Sequence, residues 1–208
     1  VNYKLIDELC FKSKNIYNYA NYIVRQEFIN NNSWIRYGKL AEITKTSESY
    51  RDLGSNVGQQ TLRILDQNWK SFFASIKDWS RNKSKYLGKP KLPNYLDKEG
   101  RFNLIIDNIK VSIVDEYLRF SWKPLNPLNN IYRTNVKGKL MQVRFIPKNN
   151  QYVMEVVYEI EVPEQPVKSN RIIGIDIGID NLATVSNNIK EQPFIINGKP
   201  LKSMNQYY

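Results

Sequence analysis

Apolar residues recur at helical spacing along roughly the first 95 residues. Over 4–29, KLIDELCFKSKNIYNYANYIVRQEFI, the residues Leu5, Leu9, Ile16, Tyr19, Ala20, Ile23 and Phe28 fall near the i, i+3, i+4, i+7 stations of one helix face. Asn30–Asn32 and Ser33 end that helix, and Ser33 is placed to cap a following helix that begins at Trp34. Leu53-Gly54-Ser55 marks a break before a stronger amphipathic run, NVGQQTLRILDQNWKSFFASIKDWS. There Val57, Leu62, Leu65, Trp69, Phe72, Phe73, Ile76 and Trp79 form a wide apolar stripe that reads as core. From 102 to 162 the period becomes two. The runs NLIIDNIKVSIV, YLRFSW, QVRFIP and YVMEVVYEIEV are rich in β-branched and aromatic residues. Asp115-Glu116, Lys137-Gly138-Lys139 and Lys148-Asn149-Asn150 supply hairpin turns, so this stretch predicts a small antiparallel barrel or sheet. Pro163 and Pro166 close it and form a stiff linker into a third segment.

Between the helical and β regions, RNKSKYLGKPKLPNYLDK (81–98) fits neither period. Gly88, Pro90 and Pro93 forbid a continuing helix, and Arg81, Lys83, Lys85, Lys89, Lys91 and Lys98 make a basic ribbon. Two readings stand side by side: a solvated linker, or a strap that contacts phosphates while Tyr86 and Tyr95 stack on bases or sugars.

The third segment opens with RIIGIDIGIDNLATVSNN (171–188). Ile172, Ile173, Ile175 and Ile177 predict a largely buried strand, and Asp176 sits inside it. A carboxylate there requires a cation, a set of donors or an open strand end, because burying it alone is expensive. Gly174 and Gly178 flank it and leave room for close approach, and Ile179-Asp180-Asn181 turns the chain into a second strand, LATVS. An acid on the first strand of a hairpin, joined by other carboxylates, is how a two-metal phosphodiesterase site begins. The plainer alternative is an Asp that serves a turn. Actin-like ATPases open on a similar strand, but they place small hydroxyl residues after the second Gly, where this chain has Ile179 and Asp180.

Composition narrows the chemistry. The chain has 208 residues, room for one or two domains, and is 41% hydrophobic and 12% aromatic, as globular proteins are. No stretch reaches the ~18 apolar residues of a membrane span, and no signal-peptide pattern opens the chain. The absence of histidine excludes Ser-His-Asp and Cys-His hydrolases, His-ligated metals, and transposases whose tyrosine chemistry needs a His-rich metal site. The single cysteine, Cys10, excludes an internal disulfide and a zinc ribbon, and favours a cytoplasmic location. Any metal would therefore take oxygen ligands, as Mg²⁺ or Mn²⁺ does. Thirty-one Lys and Arg against 20 Asp and Glu give a net charge of +11, the electrostatic footprint of a nucleic-acid partner.

NRIIGIDIGIDNLATVSNN resembles the first RuvC-type motif of the TnpB (OrfB) family of IS200/IS605-type insertion sequences. Upstream, LCFKSKNIYNYANYIVRQ, WIRYGKL, LGSNVGQQTLRILDQNWKSFF, GKPKLPNY and GKLMQVRFIPKNNQYVMEVVYEIEV resemble the family in order, essentially end to end. The resemblance implies an RNA-guided, metal-dependent DNA endonuclease related to the Cas12 nucleases. It implies an α+β fold: a helical recognition domain at 1–98 with the basic linker 81–98, an antiparallel β-barrel-like (wedge) domain at 99–165, and the first strands of an RNase H-like (RuvC) nuclease domain at 166–208. Partners would be a transposon-end guide RNA and double-stranded target DNA, with no membrane; the companion transposase TnpA of the same element is a further partner the resemblance admits.

Carried over by residue, Asp176 is the first catalytic carboxylate and a Mg²⁺ ligand. Tyr37 and the helix holding Gln59 and Gln60 match regions that approach a short DNA motif. Gln pairs well with adenine in the major groove, which makes Gln59 a candidate base reader and Asn56, one turn earlier, a second; ordinary helix surface is the alternative. The family's Glu, its zinc ribbon and its last Asp lie downstream of the first motif. The expectation is thus a truncated chain, without zinc, that binds nucleic acid but does not cleave it. A non-cleaving regulator or a degraded transposase remnant are the alternatives.

Overall fold

The first long helix, α1 (Asn2–Asn31), buries Leu9, Ile16 and Ala20 on its predicted face, with Leu5, Ile23 and Phe28 packed partly against the same core. Tyr19 lies off that face and is 40% exposed. Asn32 ends the helix in the left-handed region at φ 49°, which Asn tolerates better than most residues. The next helix, α2 (Tyr37–Thr44), begins three residues later than Trp34 and is not capped by Ser33. Its first N–H is taken instead by Asp66 Oδ1 at 3.1 Å, a carboxylate from a distant helix. Trp34 stays outside the helix and packs on Phe73, ring centroids 5.0 Å apart. Then α3 (Glu48–Leu53) is capped by Ser47, whose Oγ accepts from Tyr50 N–H. Gly54, at φ 77°, makes the predicted break before α4 (Ser55–Arg81), which buries Val57, Leu62, Leu65 and Trp69.

The β region forms five strands: β1 (Leu104–Asp107), β2 (Val111–Val114), β3 (Tyr117–Phe120), β4 (Lys139–Lys148) and β5 (Gln151–Glu159). They do not close a barrel. One antiparallel sheet runs β1-β4-β5 and a separate ribbon pairs β2 with β3, so the ladder stops between them. Two predicted hairpins form with left-handed residues at both turn positions: Asp115 and Glu116 at φ 51° and 64°, Asn149 and Asn150 at 48° and 59°. That geometry matches the twist of the flanking strands. Lys137-Gly138-Lys139 is not a hairpin turn, because β4 begins at Lys139 after an irregular stretch from 129 that follows the 3-10 turns at Lys123–Leu128. A β-carbon on Gly138 would lie 2.7 Å from the Tyr158 ring, so close strand packing explains this glycine.

The helices and this sheet share a single core. Ile16 and Tyr17 of α1, Leu62, Leu65 and Trp69 of α4, and Leu104, Ile106, Phe120, Val143 and Phe145 of the strands belong to one continuous buried cluster. At ~1.5–3 kcal/mol for each large apolar side chain, this burial supplies the main force that holds the two parts together.

The computed structural model describes residues 2–161, 170–178 and 180–207, in two compact units, Val1–Glu161 and Val162–Tyr208. Pro163, Pro166, the expected boundary at 165/166 and Ile179 of the expected turn lie outside the described residues. In the second unit, β6 (Ile173–Asp176), β7 (Asn181–Asn187) and β8 (Phe194–Asn197) form an antiparallel sheet in that order, followed by α5 (Lys199–Tyr207). The strand expected to be buried is exposed: Ile173 and Ile175 are 65% and 61% accessible, and Ile172 and Ile177 are likewise open. The apolar run is there, but among the described residues nothing covers its faces. No helix among the described residues is long and apolar enough to cross a membrane.

Candidate nucleic-acid interface

The basic segment is anchored rather than loose. Polar side chains at successive turns of α1 take up its backbone. Lys14 Nζ donates to Lys98 O at 2.5 Å, Asn21 Nδ2 to Pro93 O at 3.1 Å and Arg25 Nη1 to the same carbonyl at 2.8 Å. Asn18 copies a strand partner, donating to Leu96 O at 2.9 Å and accepting from Leu96 N–H at 2.8 Å. Asn21 is itself oriented by Trp69 Nε1 at 3.1 Å. A proline-containing segment cannot satisfy its own carbonyls by helix formation, and these amides and cations do it instead. At its far end Arg101 holds Asp7 with two bonds of 2.9 and 2.7 Å, and Tyr152 OH donates to the same carboxylate at 2.7 Å.

The candidate cations differ in how free they are. Asp78 accepts from Lys85 Nζ at 3.0 Å, Tyr86 OH at 2.6 Å and Asn82 Nδ2 at 3.1 Å. The Tyr86 hydroxyl first, then Lys85, hold the Asp78 carboxyl down to about 2. Lys85 and Tyr86 are therefore spent on closing the turn after α4. Lys83 and Lys89 place their ammonium groups 5.2 and 5.9 Å from the centre of the Trp79 indole. This keeps both charges at the surface beside an aromatic face. Arg81 and Lys91 are exposed, and neither has an ion pair among the described residues. Tyr95 lies under the Arg25 guanidinium at 4.9 Å.

Tyr37 starts α2, half-buried, with the Arg63 guanidinium 4.7 Å over its ring. On α4 the structure joins Asn56 to Gln60 rather than to Gln59. Asn56 Nδ2 and Gln60 Nε2 both donate to Asp107 Oδ2, at 3.1 and 3.0 Å, linking the start of the helix to the end of β1. Gln59 lies instead beside Tyr50, whose hydroxyl is pushed up by burial and eased back by the Gln59 amide. Asp107 was not among the sequence candidates. Its signal was an apolar strand, LII, that stops at an Asp-Asn pair, with two amides one turn apart on the preceding helix. The α1 anchors Asn18, Asn21 and Arg25 were missed too, although they recur at helical spacing.

In the second unit Asp176 ends β6, paired across to Thr184, and is exposed. Gly174 sits against Ser186, whose Oγ would be 3.2 Å from a β-carbon placed there. The neighbouring acid Asp180 is held by Lys202 at 2.8 Å. Among the described residues no three acidic, Cys or His side chains gather into a metal site. One carboxylate does not fit a complete Mg²⁺ site.

Residues 155–208 match the OrfB_IS605 family model, described as "Probable transposase", and this match bears out the resemblance read from the sequence. No curated protein matches the chain. Among solved structures, a CRISPR-Cas12f ternary complex is similar at 10% identity and a TM-score of 0.46, over 98% of this chain and 50% of that one. A Cas12f1–sgRNA–target DNA complex is similar at 14% identity and a TM-score of 0.33, over 97% and 54%. The chain thus spans about half the length of each.

Proposed function

We propose that this chain is a TnpB-like nucleic-acid-binding protein, the recognition part of an RNA-guided DNA endonuclease encoded by an insertion sequence. The observation that carries this reading is the OrfB_IS605 match over residues 155–208, which contains the strand bearing Asp176. The net charge of +11 supports it, since Lys and Arg that neutralise phosphates release counterions and supply most non-specific affinity. A transposon-end RNA and double-stranded DNA would be the partners, with Arg81, Lys83, Lys89 and Lys91 at the phosphates. In a complete nuclease, Asp176 would supply one carboxylate to Mg²⁺. The first strands of an RNase H-like domain are the reading we give to β6, β7 and β8.

These 208 residues bind without cutting. The observation that favours this is that no three acidic, Cys or His side chains gather into a metal site among the described residues. The test incubates the chain with transposon-end RNA, matching duplex DNA and Mg²⁺, and follows binding and strand scission together. Salt-sensitive binding with intact DNA is expected. Scission abolished by Asp176→Ala would overturn the non-cleaving reading, and failure to bind either nucleic acid would overturn the whole assignment.

A further inference from the structure

Between α4 and the basic segment lies a cavity of about 360 Å³, at the lower end of the range for small-ligand pockets and roomy enough for one nucleobase with its sugar. One side of it is a single face of α4, where Asn68, Ser71, Phe72 and Ser75 stand at i, i+3, i+4 and i+7. The basic segment supplies Lys91, Pro93 and Leu96, and α1 supplies Tyr17. The segment's backbone is pinned to α1 at this point. Pro93 O accepts from Asn21 and Arg25, and Leu96 exchanges two bonds with Asn18. A cavity whose walls are held before a ligand arrives loses little binding energy to ordering them. Tyr17 is only 3% exposed. Its hydroxyl accepts from Asn68 Nδ2 at 2.9 Å and has no acceptor for its own proton among the described residues. A phenol donates as well as accepts, so a nearly buried group that lines the cavity leaves one hydrogen bond unmade.

We propose that this cavity receives one unstacked base of a single-stranded RNA. The proposal rests on the reading that the chain binds nucleic acid. Phe72 offers the base an aromatic contact, and Pro93 and Leu96 an apolar wall. The Tyr17 O–H is a donor for an acceptor atom on the base edge, and Lys91, which is exposed, is a cation for the phosphate. Ser71 and Ser75 add hydroxyls that can pair with the ribose 2′-OH, the group that separates RNA from DNA. A base inside a duplex has both faces stacked and cannot enter. The cavity therefore favours single strands over duplexes, which a basic surface alone does not.

The test follows fluorescence anisotropy of three labelled probes: a single-stranded RNA of mixed sequence, the same sequence as single-stranded DNA, and a DNA duplex. Each is titrated with the 208-residue chain and with two variants checked for folding by circular dichroism. Ser75→Trp fills the cavity from the helix side. It should weaken RNA binding about tenfold, as the loss of one stacked base allows, while duplex affinity changes less than about twofold. Tyr17→Phe keeps the ring and removes only the donor, and RNA binding about threefold weaker is expected. This second variant decides the matter if Ser75→Trp does not fold. Unchanged RNA affinity in either folded variant would overturn the proposal, as would an equal loss for the duplex. Single-stranded DNA bound as tightly as the RNA, with the same losses, would overturn the assignment to RNA. Duplex binding without RNA binding would overturn the pocket and leave the functional assignment standing. No binding of any probe by the wild type would overturn both.

Discussion

Two stretches of this chain have similar β-forming, apolar sequences and different fates. In β1, Leu104, Ile105 and Ile106 are buried under the helices, and Leu104 and Ile106 are fully inaccessible. In β6 and its flanks, Ile172, Ile173, Ile175 and Ile177 are each more than 60% exposed. Both strands pair on an antiparallel neighbour, so the difference is not in hydrogen bonding. It lies in what covers the faces: α1 and α4 bring a continuous apolar stripe to β1 and β4, whereas the described part of the second unit has only α5, itself exposed where its burial is described. Strand propensity makes a ladder, and only a partner surface turns it into a core.

The contrast can be broken by substitution. Trp69 is completely buried and its Nε1 donates to Asn21, so Trp69→Ala should lower the stability of the first unit by about 3–5 kcal/mol in urea unfolding. A loss below 1 kcal/mol would mean the shared core is not the source of its stability. Gly138→Ala forces a β-carbon against the Tyr158 ring and the Ile160 side chain and should cost about 1–3 kcal/mol, seen as a lower melting temperature. Smaller still is an acid dependence at Asp7. Arg101 hydrogen bonds, against the opposing effect of burial, hold its carboxyl below the ordinary 3.8. The folded value is therefore below the unfolded one, and the stabilisation is present above 3.8 and lost as pH falls through the folded value. Asp7→Asn should flatten that acid loss; an identical pH profile would count against the ion pair. Ile175→Ser, on the uncovered sheet, should move thermal stability by no more than about 0.5 kcal/mol. A large loss there would show that β6 is packed after all.

Much of this was legible in the sequence where local rules decide. The stripe from Val57 to Trp69 became core because helical spacing is set by geometry, and Asp115-Glu116 and Asn149-Asn150 became turns although none of the four is glycine. The failures share a cause, since each depends on residues distant in sequence. Asp66 displaced Ser33 as the cap of α2, and the ladder ended before a barrel could close. Ile175 lacks cover that its own sequence could not promise. At the candidate site, the basic ribbon was readable from its composition. That Lys85 is spent on Asp78, or that Asp107 gathers Asn56 and Gln60, required the fold.

The proposed nucleic-acid-binding surface of the first unit lies at the end of α4 and along the anchored basic segment. The most direct test is anisotropy of a labelled nucleic acid titrated across salt, with wild type, a Lys83→Ala/Lys89→Ala/Lys91→Ala triple variant and Asp176→Ala. Each phosphate that is no longer neutralised should reduce the slope of log affinity against log salt by about 0.9, so the triple variant should have a slope shallower by roughly 2–3. Asp176→Ala should keep the wild-type slope. Salt-independent binding, or a triple variant with the wild-type slope, would contradict a phosphate-binding surface there.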